Sequence, residues 1–474
     1  MLVPFVVACA LFMENTDSTV IATSLPAIAR DLGEDPLALK LALTSYLVSL
    51  AVFIPISGWM ADKFGARTIF RLAIGVFMLG SVGCAFSHSL ESFVLARFFQ
   101  GMGGAMMVPV GRLVLLRSVP RNQMVQALAY LSIPAMVGPV VGPPLGGFIT
   151  TYFHWQWIFF INIPIGIIGI AMATVFFENI REDDVPPLDL TGTILSAVGL
   201  SFLMFGLTTG GGHLVSIEKS IAATVIGAIA VATYIWHSKR VPHPVLDLAL
   251  MKIPTFRIGV LAGFLFRIGV GAIPFLLPLM LQVGFGFDPL HSGLTTFAAA
   301  AGAMFMKTLA ARILRRYGFR GVMIINAFIG AAFLAVQGFF TVDTPYVIMF
   351  AVLLVGGCFR SLQFTGLNAL MFADVTKRDM SLATSFSSVA QQLSLSVGVA
   401  VGALALEIAA SRHPGIDLEA SDFWPAFLVV AAFSAASAFV LMQLKPDAGA
   451  EVSGHRDPRK ASAESIQEHR QPAE

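Results

Sequence analysis

Charged residues are scarce in this 474-residue chain: Asp, Glu, Lys and Arg make up 12% of it, against 56% hydrophobic residues. An ordinary soluble domain is about 25% charged. A soluble fold cannot bury so large an apolar fraction, and the mean hydropathy of +0.80 points the same way. The composition therefore excludes a soluble globular protein and indicates a multi-pass membrane protein.

Cysteine is also scarce. Cys9, Cys84 and Cys358 lie in apolar stretches without CxxC or Cys/His spacing, which argues against a disulfide scaffold and a zinc site. The sequence holds no Walker A motif, no catalytic-triad spacing and no cluster of metal ligands. We therefore expect neither an enzyme nor a cofactor or metal. Any active transport by this chain must therefore use an ion gradient.

Long apolar stretches dominate the rest of the chain. A membrane-spanning helix needs about 20 mostly apolar residues, and the 43 Gly and 25 Pro suit close-packed, kinked membrane helices. The sequence therefore predicts an all-α polytopic membrane protein embedded in the lipid bilayer. Its fourteen candidate spans are residues 2–25, 41–61, 70–87, 92–115, 123–150, 158–177, 190–210, 220–237, 254–281, 291–311, 321–341, 346–371, 382–408 and 422–444.

Neither sign of charge dominates, with 30 Lys and Arg against 28 Asp and Glu, so nothing indicates a nucleic-acid partner. The basic residues are nevertheless unevenly placed. If Met1 is cytoplasmic, the inner loops and tail hold 20 of them and the outer loops hold four, namely Arg30, Lys40, Lys219 and Arg412. Positive charge marks cytoplasmic loops, so both termini are predicted to be cytoplasmic, in a plasma membrane.

A faint internal repeat divides the chain. The loop GWMADKFGARTIF after the second span is similar to LAARILRRYGFRGV after the tenth, and pairing Gly65 with Gly318 aligns spans 1–6 with spans 9–14. Such repeats are typical of two-bundle transporters. The predicted domains are two six-helix bundles at residues 1–177 and 254–444, a two-span linker at 178–253, and a disordered cytoplasmic tail at 445–474.

Five short motifs occur in a fixed order: residues 17–26 (DSTVIATSLP), 58–67 (GWMADKFGAR), 97–104 (RFFQGMGG), 138–147 (GPVVGPPLGG) and 154–166 (HWQWIFFINIPIG). Together they resemble the signatures of the major facilitator superfamily. The first and last resemble those of its fourteen-span drug:proton antiporters in the bacterial inner membrane. The resemblance covers nearly the whole chain and implies a proton-coupled exporter with a central cavity.

The loop after the second span is a candidate gate. Gly58, Asp62, Lys63, Gly65 and Arg67 place both signs of charge beside a tight glycine turn. Asp62 can accept hydrogen bonds from helix N-termini or pair with a basic group, so the loop can latch one gate shut. The alternative is a simple positive-inside anchor.

The fifth span carries the motif that the resemblance associates with export. Gly residues let helices approach closely, and Pro residues bend them. The expected function of this motif is therefore mainly structural: it shapes the packing between the two bundles. The candidate residues are Gly138, Pro139, Gly142, Pro143, Gly146 and Gly147.

Acidic residues inside the membrane are few, and they default to a functional role because a charge there costs about 2.5–3.5 kcal/mol. Asp17 and Glu14 lie in the first span, spaced so that both can face one cavity. Arg97 in the fourth span lies at a depth comparable to that of Asp17. The hypothesis is a proton-coupling site of Asp17, Glu14 and Arg97; the alternative is a permanent ion pair.

Cations outnumber acids inside the membrane. Arg112, Arg267, Lys307 and Arg360 are candidate substrate contacts, since no Asp or Glu lies within spans nine to twelve. A cavity of that sign concentrates anions. Gln363 and Gln391 are candidate cavity-lining amides, although such groups as often link helices.

The sequence thus leaves three functional hypotheses. The first is a monomeric proton-coupled antiporter that exports small organic compounds or drugs. The second changes the substrate to organic anions, such as carboxylate metabolites or their metal chelates. The third is a non-transporting sensor, which would have no need of Asp17, Arg97 and Asp62 together.

Overall fold

The computed structural model describes residues 2–118, 124–179, 181, 185, 187–210, 215–242, 244–376, 379–411, 418–445 and 448–449, with backbone alone for residues 2, 112, 116–118, 124–136 and 381. Within these ranges fourteen long helices follow one another. They are α1 (Leu2–Leu32), α2 (Lys40–Phe64), α3 (Ala66–Ala85), α4 (Leu90–Ser118), α5 (Met124–Tyr152), α6 (Asn162–Phe176), α7 (Leu190–Thr209), α8 (Ile217–Ser238), α9 (Pro254–Leu279), α10 (Pro289–Tyr317), α11 (Phe319–Gln337), α12 (Tyr346–Met371), α13 (Met380–Ala410) and α14 (Phe423–Leu441).

The predicted all-α membrane fold is confirmed. In the described part of the chain, thirteen helices are long and apolar enough to cross a membrane, and no strand occurs. Helix α5 occupies the position of the predicted fifth span. Most of the predicted tail, from residue 450 onward, lies outside the described residues.

Three predicted spans have the wrong bounds, and one of them, the tenth, continues as α10 to Tyr317 instead of ending at residue 311. Helix α1 continues to Leu32 instead of ending near Leu25, because its polar last turns make their own hydrogen bonds: Arg30 Nε donates to the Pro26 carbonyl (3.3 Å), and Asp31 accepts from Trp155 Nε1 (2.9 Å). The sixth span is not one helix. A four-residue helix, Trp157–Phe160, precedes α6, and Ile161 separates the two.

Helices α1–α6 pack mainly against one another, and so do α9–α14. We refer to these two groups as the N half and the C half. The most extensive contacts between the halves are those of α5 with α10 and of α2 with α13, and α1 also contacts α9 and α10. Helices α7 and α8 form an antiparallel hairpin outside both halves, and α7 contacts α2 and α13 together.

The two ends of the bundle differ. The end that carries residues 33–39, 86–89, 153–156, 285–288 and 338–345 is here called the predicted outer face. One apolar cluster there draws on both halves and runs from Val20 of α1 to Ala431 of α14. At the predicted inner face the buried apolar clusters separate by half, and among the described residues Val389 is the single buried one that joins the cluster of the other half. The bundle is therefore closed at the outer face and divided at the inner one.

The proposed repeat has a structural counterpart. Gly65 between α2 and α3 and Gly318 between α10 and α11 both adopt positive φ, +94° and +74°, a conformation that favours glycine. Two residues after each, an arginine reaches a helix end in its own half: Arg67 Nη1 lies 3.4 Å from the Phe177 carbonyl oxygen, and Arg320 Nη2 3.2 Å from that of Met442. The same turn thus closes each half at the predicted inner face.

Candidate transport site

Asp17 lies at the centre of a buried polar network in the N half. Its Oδ2 accepts a hydrogen bond from Arg97 Nη1 (2.7 Å), and its Oδ1 accepts from Gln100 Nε2 and Asn162 Nδ2 (2.8 Å each). Ser81 of α3 closes the network by accepting from Gln100 and Asn162 (2.8 and 3.1 Å). The structure therefore brings together Asp17 and Arg97, which are 4% and 1% exposed.

Arg97 has two kinds of neighbour. Within the plane of its guanidinium it bonds to Asp17 and to Gln100 Oε1 (2.5 Å), while its Cζ lies 4.3 Å from the centroid of the Tyr46 ring. Such cation–π contacts strengthen when desolvated. Glycine allows α4 to approach α2 here, since an added Cβ at Gly104 would lie 3.0 Å from the Tyr46 hydroxyl. The fourth-span motif thus fixes the position of Arg97.

Glu14 lies one turn from Asp17 toward the predicted inner face and is half-buried. The two carboxylates therefore differ in access: Asp17 is sealed within the bundle, whereas Glu14 is partly exposed.

The candidate gate lies at the predicted inner face, where α2 ends and α3 begins. Asp62 and Arg67 are half-buried and Lys63 is exposed. An added Cβ at Gly65 would overlap the Asn179 side chain, whose Oδ1 accepts from the backbone N–H and the hydroxyl of Thr68 (3.3 Å each). Gly58 has open space around it. The loop is thus tied to the segment that follows α6.

The fifth-span motif packs α5 against two helices. Gly138, Gly142 and Gly146 face α1, and an added Cβ would lie 3.0 Å from Thr16 Oγ1 at Gly138 and overlap Thr19 Oγ1 at Gly142. Gly147 faces the first turn of α10, in the other half. Pro139 and Pro143 instead line the cavity between the halves. The motif thus forms a junction of both halves and the cavity wall.

Gly146→Ala is expected to destabilise the protein by about 1–3 kcal/mol, the usual cost of overpacking. An added Cβ would overlap the Val20 carbonyl oxygen, and a helix backbone cannot move aside as a side chain can. Thermal unfolding in detergent measures the effect. Gly75→Ala in α3 is the matched control, because nothing lies within 4 Å of its added Cβ. Equal melting temperatures for the two variants would contradict the close α1–α5 packing.

A cavity of about 230 Å³ lies between the halves, lined by α1, α5, α9, α10 and α12. Its walls are mostly apolar, with three threonines among them, and its charged residues are Lys307 and Arg360. Neither cation forms an ion pair or hydrogen bond with another residue in the described ranges. No carboxylate lines this cavity among the described residues. The cavity therefore carries uncompensated positive charge.

Other candidate contacts lie elsewhere. Arg267 is buried in the C half, where its Nη2 donates to Asn368 Oδ1 (2.8 Å) and its Cζ lies 5.0 Å from the Phe364 ring centroid. Gln363 is buried and accepts from Asn326 of α11 (2.7 Å), so it links helices instead of lining the cavity. Gln391 is half-buried and outside the cavity lining. The Arg112 side chain is outside the described part of the structure.

Sequence reasoning missed several partners. Gln100 and Asn162 stand within quoted motifs, yet neither was predicted to bond to Asp17. Lys40 was assigned to an outer loop, but it is the first residue of α2, is buried, and forms an ion pair with Glu407 of α13. In the sequence, both residues look like ordinary charges at span ends. In the described part of the chain, no three His, Cys, Asp or Glu side chains lie close enough together to hold a metal ion.

Comparison with known proteins agrees with this architecture. The chain matches the Major Facilitator Superfamily over residues 7–398 and 259–472. It is 38% identical over 447 residues to "Putative multidrug resistance protein MdtD" of Salmonella dublin, covering 94% of each chain. The matched family is one of transporters and not of enzymes, as expected from the sequence.

Solved structures share the fold at low sequence identity. A D-xylose-proton symporter has a TM-score of 0.66 at 14% identity, over 94% of this chain and 98% of its own. A partially occluded, inward-open form of the xylose transporter XylE from E. coli has a TM-score of 0.62 at 13% identity, over 94% and 97%. Family match, relatives and fold agree, so this chain belongs to the major facilitator superfamily.

Proposed function

We propose that this protein is a proton-coupled antiporter that exports small organic compounds across the plasma membrane by alternating access. The observation that carries the proposal is the Asp17 network, in which a buried carboxylate joins four helices of the N half. The similarity of the chain to proteins named for multidrug resistance supports export as the direction of transport. The chain acts as a monomer, since each copy contains both halves and its own cavity.

Proton coupling here is indirect. On α1, Thr19, Ala22 and Thr23 face the cavity, whereas Asp17 faces α3, α4 and α6. A proton on Asp17 therefore does not compete with substrate for the same atoms. Instead it removes the negative partner of Arg97 and leaves a buried cation held by Gln100 Oε1 and the Tyr46 ring. Because an unpaired buried charge is costly, the packing of α1 against α4 differs between the two protonation states.

The cavity suits anionic or zwitterionic substrates with an apolar body. Lys307 and Arg360 supply positive charge, while Pro139, Ile273 and Leu277 supply apolar surface. A permanent cation would meet two like charges and no carboxylate among the described residues. Within the export function, organic anions are therefore the favoured substrate class and lipophilic cations the second candidate.

A substrate panel tests the proposal. Proteoliposomes containing the purified protein are given an inward proton gradient, and uptake or release of radiolabelled mono- and dicarboxylates is compared with that of cationic dyes. Release of a compound that depends on the inward gradient, and that is absent in protein-free vesicles, supports antiport, whereas gradient-driven uptake indicates symport. Flux that does not depend on the proton gradient argues against proton coupling. Absence of flux for both the carboxylates and the cationic dyes favours a sensor.

The distribution of basic residues predicts that the tail and residues 312–320 are cytoplasmic. A cysteine introduced at Ser453 or within residues 312–320 should therefore not react with membrane-impermeant thiol reagents in intact cells. The same sites should react once the membrane is permeabilised. A cysteine at exposed Asp343, on the predicted outer face, should react without permeabilisation. The opposite labelling pattern would place the termini outside.

A further inference from the structure

A buried ion pair joins the two halves at the predicted outer face. Lys40, the first residue of α2, donates to Glu407, near the end of α13. Their side chains are 2% and 4% exposed, and Lys40 is among the most fully buried large side chains of the chain. Because α2 belongs to the N half and α13 to the C half, the pair spans the line along which the halves must separate.

The surroundings of the pair are apolar. Leu39 and Leu43 flank Lys40, Ala403 and Leu406 flank Glu407, and all four belong to the cluster that closes the outer face. The second carboxylate oxygen of Glu407, Oε2, has no hydrogen-bond partner in the described ranges. Each charge therefore has the other as its main compensation while the outer face is closed.

We propose that Lys40 and Glu407 are positioning residues for the transport cycle, which hold the outer face closed while the inner face is open. The proposal rests on alternating access, which is part of the proposed function. Two weaker cross-half contacts lie on the same face: Gln282 Nε2 donates to the Thr23 carbonyl (2.8 Å), and the Leu290 N–H to Thr151 Oγ1 (3.1 Å). The ion pair differs from them because only its members become stranded charges when one partner is removed.

Removing one member of the Lys40–Glu407 pair should favour the form in which the outer face is open. Lys40→Met leaves Glu407 buried without a partner in the closed form, whereas in the open form water can hydrate that carboxylate. Glu407→Gln likewise leaves the Lys40 ammonium buried without a partner in the closed form. Each single variant should therefore shift the ratio of outer-open to outer-closed molecules by at least about tenfold toward open. The double variant and the swap, Lys40→Glu with Glu407→Lys, strand no charge and should return toward the parent ratio.

Distances between spin labels measure this ratio. Labels at His88→Cys in the N half and Asp343→Cys in the C half, both exposed on the outer face, report its opening, with Cys9, Cys84 and Cys358 replaced by alanine. The protein is studied in lipid nanodiscs without substrate or proton gradient. Asp288→Asn is the matched control, because Asp288 pairs with His291 on the same face but within one half.

The expected result is a longer label distance in the two single variants, and parent-like distances in the double variant, the swap and Asp288→Asn. Unchanged distances in both single variants would overturn the proposal. The proposal would also be overturned if the label distance increased equally in the single variants, the double variant and the swap. That pattern would mean that any substitution here loosens the packing of the outer face, whether or not it leaves a charge unpaired. If a single variant fails to fold, the other single variant and the swap still decide. If the parent protein shows no gradient-driven flux, that result contradicts the proposed function. It is separate from the label distances, which test the role of the ion pair.

Discussion

Asp17→Asn is expected to reduce gradient-driven export to the level of protein-free vesicles. The substitution removes the proton-binding carboxylate and the negative partner of Arg97 in one step. Exchange of substrate down its own gradient can continue, because the cavity is on the other side of α1. Proteoliposome flux with and without a pH gradient measures both activities.

Two further variants separate coupling from folding. Removing one member of a buried ion pair costs about 3–5 kcal/mol, so Asp17→Asn with Arg97→Gln, which strands no charge, should recover stability without recovering gradient-driven export. Asp31→Asn is the matched control, because Asp31 lies on the same helix and bonds to Trp155 outside the network. Full gradient-driven export by Asp17→Asn would refute the proton-coupling role of Asp17 and turn attention to Glu14.

Arg360→Ala and Lys307→Ala are expected to weaken anion affinity by about ten- to a hundredfold each, the loss of a charge-assisted contact worth roughly 1.5–3 kcal/mol. Neither side chain has a protein partner to lose in the described ranges, so folding should change little. Arg360→Lys should recover only part of the affinity, because a point charge cannot replace a bidentate guanidinium. Concentration dependence of flux for a carboxylate substrate gives the affinity.

Two other arginines complete this test. Arg257→Ala, an exposed position at the inner end of α9, should leave affinity unchanged. Arg267→Ala should lower stability more than affinity, because Arg267 is buried against Asn368 and Phe364. If Arg360→Ala and Lys307→Ala both export the same anion with unchanged affinity, the cavity charge does not select the substrate. Export of lipophilic drugs would then be the better account.

Most of the fold could be predicted from the sequence, because hydropathy alone limits what can cross a membrane. Fourteen apolar stretches gave fourteen helices in nearly the predicted places. Some errors lie where a helix continues beyond its apolar stretch, as at Arg30 and Asp31 of α1. Side-chain hydrogen bonds, not hydropathy, accompany this end: Arg30 bonds one turn back to Pro26, and Asp31 bonds to Trp155. The break at Ile161 within the sixth span does not change the hydropathy, although Pro164 in the first turn of α6 is a sequence signal for a helix start there.

The candidate site was harder to predict. The depths of Asp17 and Arg97 follow from helical rise, because each residue advances about 1.5 Å. Which face of a helix meets which neighbour is a property of packing, so the Gln100 and Asn162 contacts could not be deduced. Lys40 and Glu407 are 367 positions apart, and only the fold brings their elements together. The placement of Arg267 outside the cavity has the same cause.

The α7–α8 hairpin makes the two membrane-facing flanks of the protein unequal. Leu200 and Met204 of α7 pack with Val48 of α2 and Val397 of α13, so protein covers that seam between the halves. Along the opposite seam, Val141 and Phe148 of α5 and Phe305 of α10 are exposed, with 39%, 46% and 61% of their surface accessible. Acyl chains therefore touch the junction of the halves from one flank only. Bilayer thickness and lipid composition consequently act on the α5–α10 junction directly, and on α2 and α13 only through the hairpin.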